Sequence, residues 1–126
     1  MNKQEVFDKV AKHLLTQKIK CVDSTGRCVY RGINGLKCAI GCLIPDDVYE
    51  PSMEGFVIHH WFGNTSLSGD GPNRKTSIDW MKPAAMNDLL QSLQLIHDGY
   101  TPNEWQKQLK NVAKKHELTF NESEYV

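Results

Sequence analysis

The chain has 126 residues, the size of one domain, and 40% of them are apolar, so a single core is feasible without disulfide or metal staples. Lys+Arg and Asp+Glu balance at 15 each, for a formal net charge of zero, which argues against bulk nucleic-acid binding, because a duplex binder carries a basic surplus to displace counterions. No apolar stretch approaches a membrane span, and residues 1–16 lack the basic start, apolar centre and small-residue cleavage site of a signal peptide. The expectation is a cytoplasmic protein with reduced thiols.

The N-terminal stretch NKQEVFDKVAKHLL repeats Val6, Val10 and Leu14 on one helical face, with Phe7 and Ala11 beside them. Asn2 as N-cap and Glu5 three residues on fit a capping box, so a helix is expected over about 3–16. In IKCVDSTGRCVYR, two short runs flank the turn composition Asp-Ser-Thr-Gly, which predicts a β-hairpin over about residues 18–31. A four-residue loop sets Cys21 opposite Cys28 and Ile19 opposite Tyr30, with those four side chains on the core face. GLKCAIGCLIP fits either period. A short helix is favoured, with Leu36, Ala39, Ile40 and Leu43 as its stripe and Pro45 as its stop.

FVIHHWF, residues 56–62, is the most apolar and aromatic run, and the Gly/Ser/Asn/Thr-rich segment 63–77 is expected to be a long mobile loop. Two helices should follow. The first carries Met86, Leu89, Leu90, Leu93 and Ile96 and stops at Gly99 as C′ residue. The second opens at Thr101-Pro102-Asn103-Glu104 and carries Trp105, Leu109, Val112 and Ala113. The acidic tail ESEYV should fray. The expected fold is therefore α+β, mainly α: one domain over 1–126, with helices packed around one core and a small hairpin. Val6, Val10, Leu14, Ile40, Leu43, Met86, Leu90, Leu93, Leu109 and Val112 are its predicted core.

Candidate chemistry is sparse. Cys21, Cys28, Cys38 and Cys42 are four potential zinc ligands, but their spacing lacks the close pairs of a zinc knuckle, and reduced Cys commonly packs as a small hydrophobe. Were residues 37–44 helical, Cys38 near the N-terminus would gain thiolate character, with His59 or His60 as base and Asp79 or Asn87 as orienting group. Adjacent His59 and His60 point apart on any regular backbone, which disfavours a shared metal. Asp46, Asp47, Glu50 and Glu54 read as a solvated acidic turn, without the pattern of a calcium loop. Arg74 and Lys75 in the long loop are candidates for phosphate or nucleotide, and the stripe Lys107, Lys110 and Lys114 with Lys115 nearby for phosphate or an acidic protein surface. Trp61 and Phe62 either complete the core or form an exposed patch that would permit a two-fold dimer.

The phrases CVYRG (28–32), GLKCAIGCLIPDDVYEPSMEG (35–55) and LLQSLQLIHD (89–98) resemble a group of small uncharacterised bacterial and bacteriophage proteins. The resemblance implies a context, a small accessory protein of a phage or bacterium, and brings no catalytic residue. It also groups Tyr30, Arg31, Gly35, Asp46 and Tyr49 around the apolar run, where Arg31 would pair with Asp46 or Asp47. The leading expectation is a small soluble non-enzymatic protein without a cofactor that binds and inhibits or regulates a host or rival protein. The alternatives are a sequestering protein for a nucleotide or other phosphorylated small molecule, and a Cys-based hydrolase or zinc-stapled module.

Overall fold

The first helix, α1 (Lys3–Gln17), begins where the pattern places it. Asn2 Oδ1 accepts the Glu5 amide at 2.8 Å and Glu5 Oε1 accepts the Asn2 amide at 3.0 Å, the reciprocal box that satisfies two orphan donors. It ends at Lys18, which takes the left-handed conformation (φ 54°) and returns its N–H to the Leu14 carbonyl. The computed structural model describes residues 1–54 and 78–121, and among these the regular elements are α1, α2 (Ala84–Gly99) and α3 (Trp105–Lys115), each packed on the other two. Val6, Phe7, Val10, Ala11, Leu14, Leu89, Leu90, Leu93, Trp105 and Leu109 are completely buried where the three meet. Of the predicted core, Val112 alone is only partly buried.

Thr101 and Glu104 close a second capping box over the 3-10 turn Pro102–Glu104, which runs straight into α3. α3 ends in a Schellman arrangement: Leu118 N–H to Ala113 O at 2.7 Å and Glu117 N–H to Lys114 O at 3.3 Å, with Glu117 left-handed at φ 58°. Residues 118–120 then fold back on α1. Thr119 exchanges backbone hydrogen bonds with the Gln4 amide, and Phe120 meets Phe7 edge-on at 5.6 Å. Gly99 does not serve as a left-handed C′ residue; it is the last residue of α2, and the chain leaves through an extended Tyr100.

The expected hairpin is the main correction. Among the described residues there is no strand or sheet, only the isolated antiparallel bridges Val22–Cys28 and Arg31–Lys37. The turn between the first pair is one residue longer than expected. The Asp23 carboxylate accepts from the Thr25 amide and hydroxyl and the Arg27 amide, and Gly26 takes φ 86°. Asp23 N–H donates to Arg27 O, so Val22 faces Cys28 and Cys21 lies beside Val29. That slip changes which residues of the two runs share a face. Cys21 and Tyr30 are buried as expected, whereas Cys28 and Ile19 are exposed.

A ladder does not extend because side chains take the backbone groups that it would use. Gln17 pairs with both polar groups of the Lys37 backbone, accepting its N–H at 3.1 Å and donating to its carbonyl at 2.9 Å. His13 Nε2 adds a donor to the same carbonyl at 2.8 Å. Glu54 accepts the amides of Tyr30 and Arg31 at 2.8 and 3.1 Å, and Gln94 accepts that of Ile40 at 3.1 Å. Each is a buried or half-buried backbone group satisfied from a helix or a turn instead of from a neighbouring strand.

The expected helix in GLKCAIGCLIP is reduced to one 3-10 turn, Gly41–Leu43, after the extended pairing at Lys37. Arg31 does pair with Asp46, at 2.6 Å. It also bonds the Ile44 carbonyl and lies over the Tyr49 ring at 5.0 Å, tying the first loop to the turn after Pro45. FVIHHWF, the 63–77 loop and the tail lie outside the described residues.

Gly41 passes so close to the Tyr30 backbone that an added Cβ would sit 1.9 Å from the Tyr30 carbonyl oxygen. Backbone cannot yield as a side-chain tip can. Gly41→Ala is expected to lower unfolding free energy by about 3 kcal/mol or more. Urea denaturation tests this, and an unchanged midpoint would show that the contact relaxes freely.

Candidate functional site

Two features outside the general core gather chemically distinctive groups: a polar relay at the C-terminal end of α2, and an open groove between α2 and α3. The relay starts at His97, which is completely buried and stacked on Trp105 with 5.6 Å between ring centroids. Its Nε2 accepts the Cys21 amide at 2.8 Å. The lone pair is therefore on Nε2 and the proton on Nδ1, which donates to Asp98 Oδ1 at 2.7 Å. Asp98 also accepts from Gln94 Nε2 at 3.0 Å, and its backbone carbonyl accepts from Lys20 Nζ at 3.2 Å. Burial pushes the Asp98 carboxyl up, but the hydrogen bonds from His97, Gln94 and Cys28 outweigh it and hold the group below its ordinary value.

Cys28 Sγ, a His97 ring nitrogen and an Asp98 oxygen lie within 4.8 Å of one another, a three-donor set that includes metal-binding types. Proton placement decides against that use. A metal on Nδ1 would displace its proton and require Nε2 to carry one, pointing a donor at the Cys21 N–H. The relay instead fastens the Cys21 loop to α2. No sequence pattern singled it out, because the partners are 76 positions apart at Cys21 and His97. The Ile96-His97-Asp98 end of an apolar stripe was its one local sign.

The four cysteines do not form a site. The register slip places Cys21 and Cys28 on opposite sides of their ribbon, and among the described residues the only grouping of three or more metal-ligand atoms is the relay itself. Cys21 Sγ–H donates to Leu36 O at 3.3 Å, and burial first, then the Glu54 carboxylate, push its thiol up to about 11. Cys42 donates to Ala39 O at 3.0 Å, and burial pushes its thiol up to about 12. Cys38, the expected nucleophile, is completely buried before the 3-10 turn rather than at the start of a helix. Burial moves its thiol strongly upward despite the Gly41 amide donating to Sγ at 3.2 Å. Cys28 is exposed, and its thiol too is raised, by burial and then by the Asp98 carboxylate. His59 and His60 lie outside the described residues. Their suggested orienting groups are engaged elsewhere, Asp79 with Lys82 at 3.2 Å and Asn87 with Gln91 at 2.6 Å.

The acidic turn is more than a solvated cluster. Asp46 meets Arg31 and Lys37, while half-buried Glu54 also accepts the Tyr49 hydroxyl at 2.7 Å. Trp61, Phe62, Arg74 and Lys75 lie outside the described residues. Lys107, Lys110, Lys114 and Lys115 are exposed on α3.

The groove lies where α2 and α3 diverge above their shared core. Leu95, Ile96 and Tyr100 line one side, and Val112, Asn111 and Lys115 the other, around a cavity of about 180 Å³. Leu95 is 60% exposed at its edge, with Gly99 one turn on. A Cβ at Gly99 would stand 3.2 Å from Leu95 Cδ1, so the glycine gives the leucine room. Compared with known proteins, the chain matches no family model, no curated sequence and no solved structure.

Two outcomes are expected from the relay and the thiols. In native protein at neutral pH, Cys28 should react with an aromatic disulfide reagent well ahead of Cys21, Cys38 and Cys42, and all four should react at once in guanidinium. Rapid reaction at Cys38 would overturn the buried assignment. The depressed Asp98 carboxyl means that the unfolded chain binds its proton first as pH falls from its ordinary 3.8. Its contribution to stability is present above that value and is lost as pH drops through the folded one. Asp98→Asn should flatten this acid limb in urea midpoints measured between about pH 5 and 2.5; an unchanged slope would remove Asp98 as its source.

Proposed function

We propose that this chain is a small binding protein that regulates or inhibits another protein, engaging it through the α2–α3 groove. The observation that supports this reading is Leu95: of the exposed large aliphatic side chains Ile19, Ile33 and Leu95, it is the one, 60% exposed, that stands at the mouth of an apolar cleft. A cleft that accepts one side chain, walled by two helices fixed on a third, is the kind of pocket that protein interfaces use for an anchor residue. The raised thiols and the engaged His97 ring favour recognition over thiol chemistry. The resemblance to phage and bacterial accessory proteins fits the same role.

Replacing Leu95 with a photo-cross-linking amino acid in bacterial cells should give one discrete protein adduct, identified by mass spectrometry. The same label at exposed Ser24 should give none. Absence of an adduct from position 95, or identical adducts from both positions, would refute the reading.

A further inference from the structure

We infer that the α2–α3 groove takes an acidic amphipathic helix of a partner protein, with one leucine- or phenylalanine-sized side chain seated in the cavity and carboxylates set against α3. The inference rests on the binding reading above and adds the chemistry of the partner.

The charge is segregated around the groove. Over Trp105–Lys115, α3 carries Lys107, Lys110, Lys114 and Lys115 and no acid, although the whole chain is neutral. At 100° per residue, Lys107 and Lys114 follow Asn111 around the helix and Lys115 lies on the wall itself, while Lys110 is further round. The α2 side carries no cation beside Leu95. Asp98 is turned away into the relay with His97, and exposed Asp88 stands one turn before Ser92 at the far end. An occupant lying in the groove therefore meets positive charge along one flank only, which fixes the side on which its carboxylates sit.

The cavity sets the anchor. An apolar space of about 150 Å³ accommodates benzene, so about 180 Å³ bounded by Leu95, Ile96, Tyr100 and Val112 takes one leucine or phenylalanine. The walls run from Ser92 to Tyr100 and from Lys115 back to Gln108, a length of about two helical turns. This suits an occupant whose contacts recur at i, i+3 or i+4 and i+7. A nucleic-acid strand would bring phosphates to the lysines but would leave the apolar floor without a match.

The test uses the full chain and three synthetic helical peptides of about 14 residues. All share one leucine/phenylalanine stripe, with flanks of glutamate, glutamine or lysine. By fluorescence anisotropy, the glutamate peptide should bind about tenfold or more tighter than the lysine peptide, and weaken severalfold between about 0.05 and 0.5 M salt. Leu95→Asp should abolish binding of all three. The combined Lys107→Glu, Lys114→Glu and Lys115→Glu variant, its helicity checked by circular dichroism, should reverse the preference. Equal binding of the three peptides, indifference to Leu95→Asp, or a single-stranded oligonucleotide outcompeting the glutamate peptide would overturn the inference. A protein adduct from position 95 with no preference for the acidic peptide would leave the binding reading standing and remove only the acidic helix; loss of both would remove both.

Discussion

The structure depends on side chains of the helices, and of Glu54 in a turn, acting as hydrogen-bond partners for irregular backbone. Residues 18–50 contain no helix longer than a single 3-10 turn and no strand, yet much of this segment is buried. A buried amide or carbonyl without a partner is destabilising by about 1–3 kcal/mol, so such a segment persists only if each group is answered. Gln17 and His13 answer Lys37, His97 answers Cys21, Gln94 answers Ile40, and Glu54 answers Tyr30 and Arg31. The helices thus present apolar stripes to one another and polar side chains to the loop that wraps them.

This division of labour explains where reactive-looking groups ended up. A loop fastened by such contacts can bury small side chains deeply, and Cys21, Cys38 and half of Cys42 fill that space as hydrophobes with weak S–H donors. His97 is committed at both nitrogens, one to the loop and one to Asp98. The surface left over is on the other side of α2. There, Leu95 is exposed and Lys115 lines the groove beside it, and the binding proposal takes its material from them.

Much of the helical scaffold was legible. Asn2 with Glu5, and Thr101 with Glu104, are local capping signals whose partners lie three positions apart, so no tertiary knowledge is needed to read them. The apolar repeats of α1, α2 and α3 likewise named about half of the buried apolar side chains, those that the helices supply. The β-hairpin was not legible correctly. Its turn composition was right, but the Asp23 side chain added a residue to the loop and shifted the register by one, and competing side-chain partners ended the pairing after one bridge. A second turn signal, Asn34-Gly35, is also present in the sequence, and both residues take positive φ.

The sequence by itself determined where α1 and α3 start and which faces the three helices bury, because capping and 3.6-residue periodicity act over a few positions. Only the tertiary structure decided that GLKCAIGCLIP became an extended pairing and one 3-10 turn, that Cys38 rather than Cys42 is the more deeply buried, and that Cys28, His97 and Asp98 converge. Those outcomes hang on contacts between residues tens of positions apart: Gln17 on Lys37, Gln94 on Ile40, His97 on Cys21. An ambiguous apolar run carries no local preference strong enough to resist them. Its conformation is set by the distant side chains that satisfy its backbone groups.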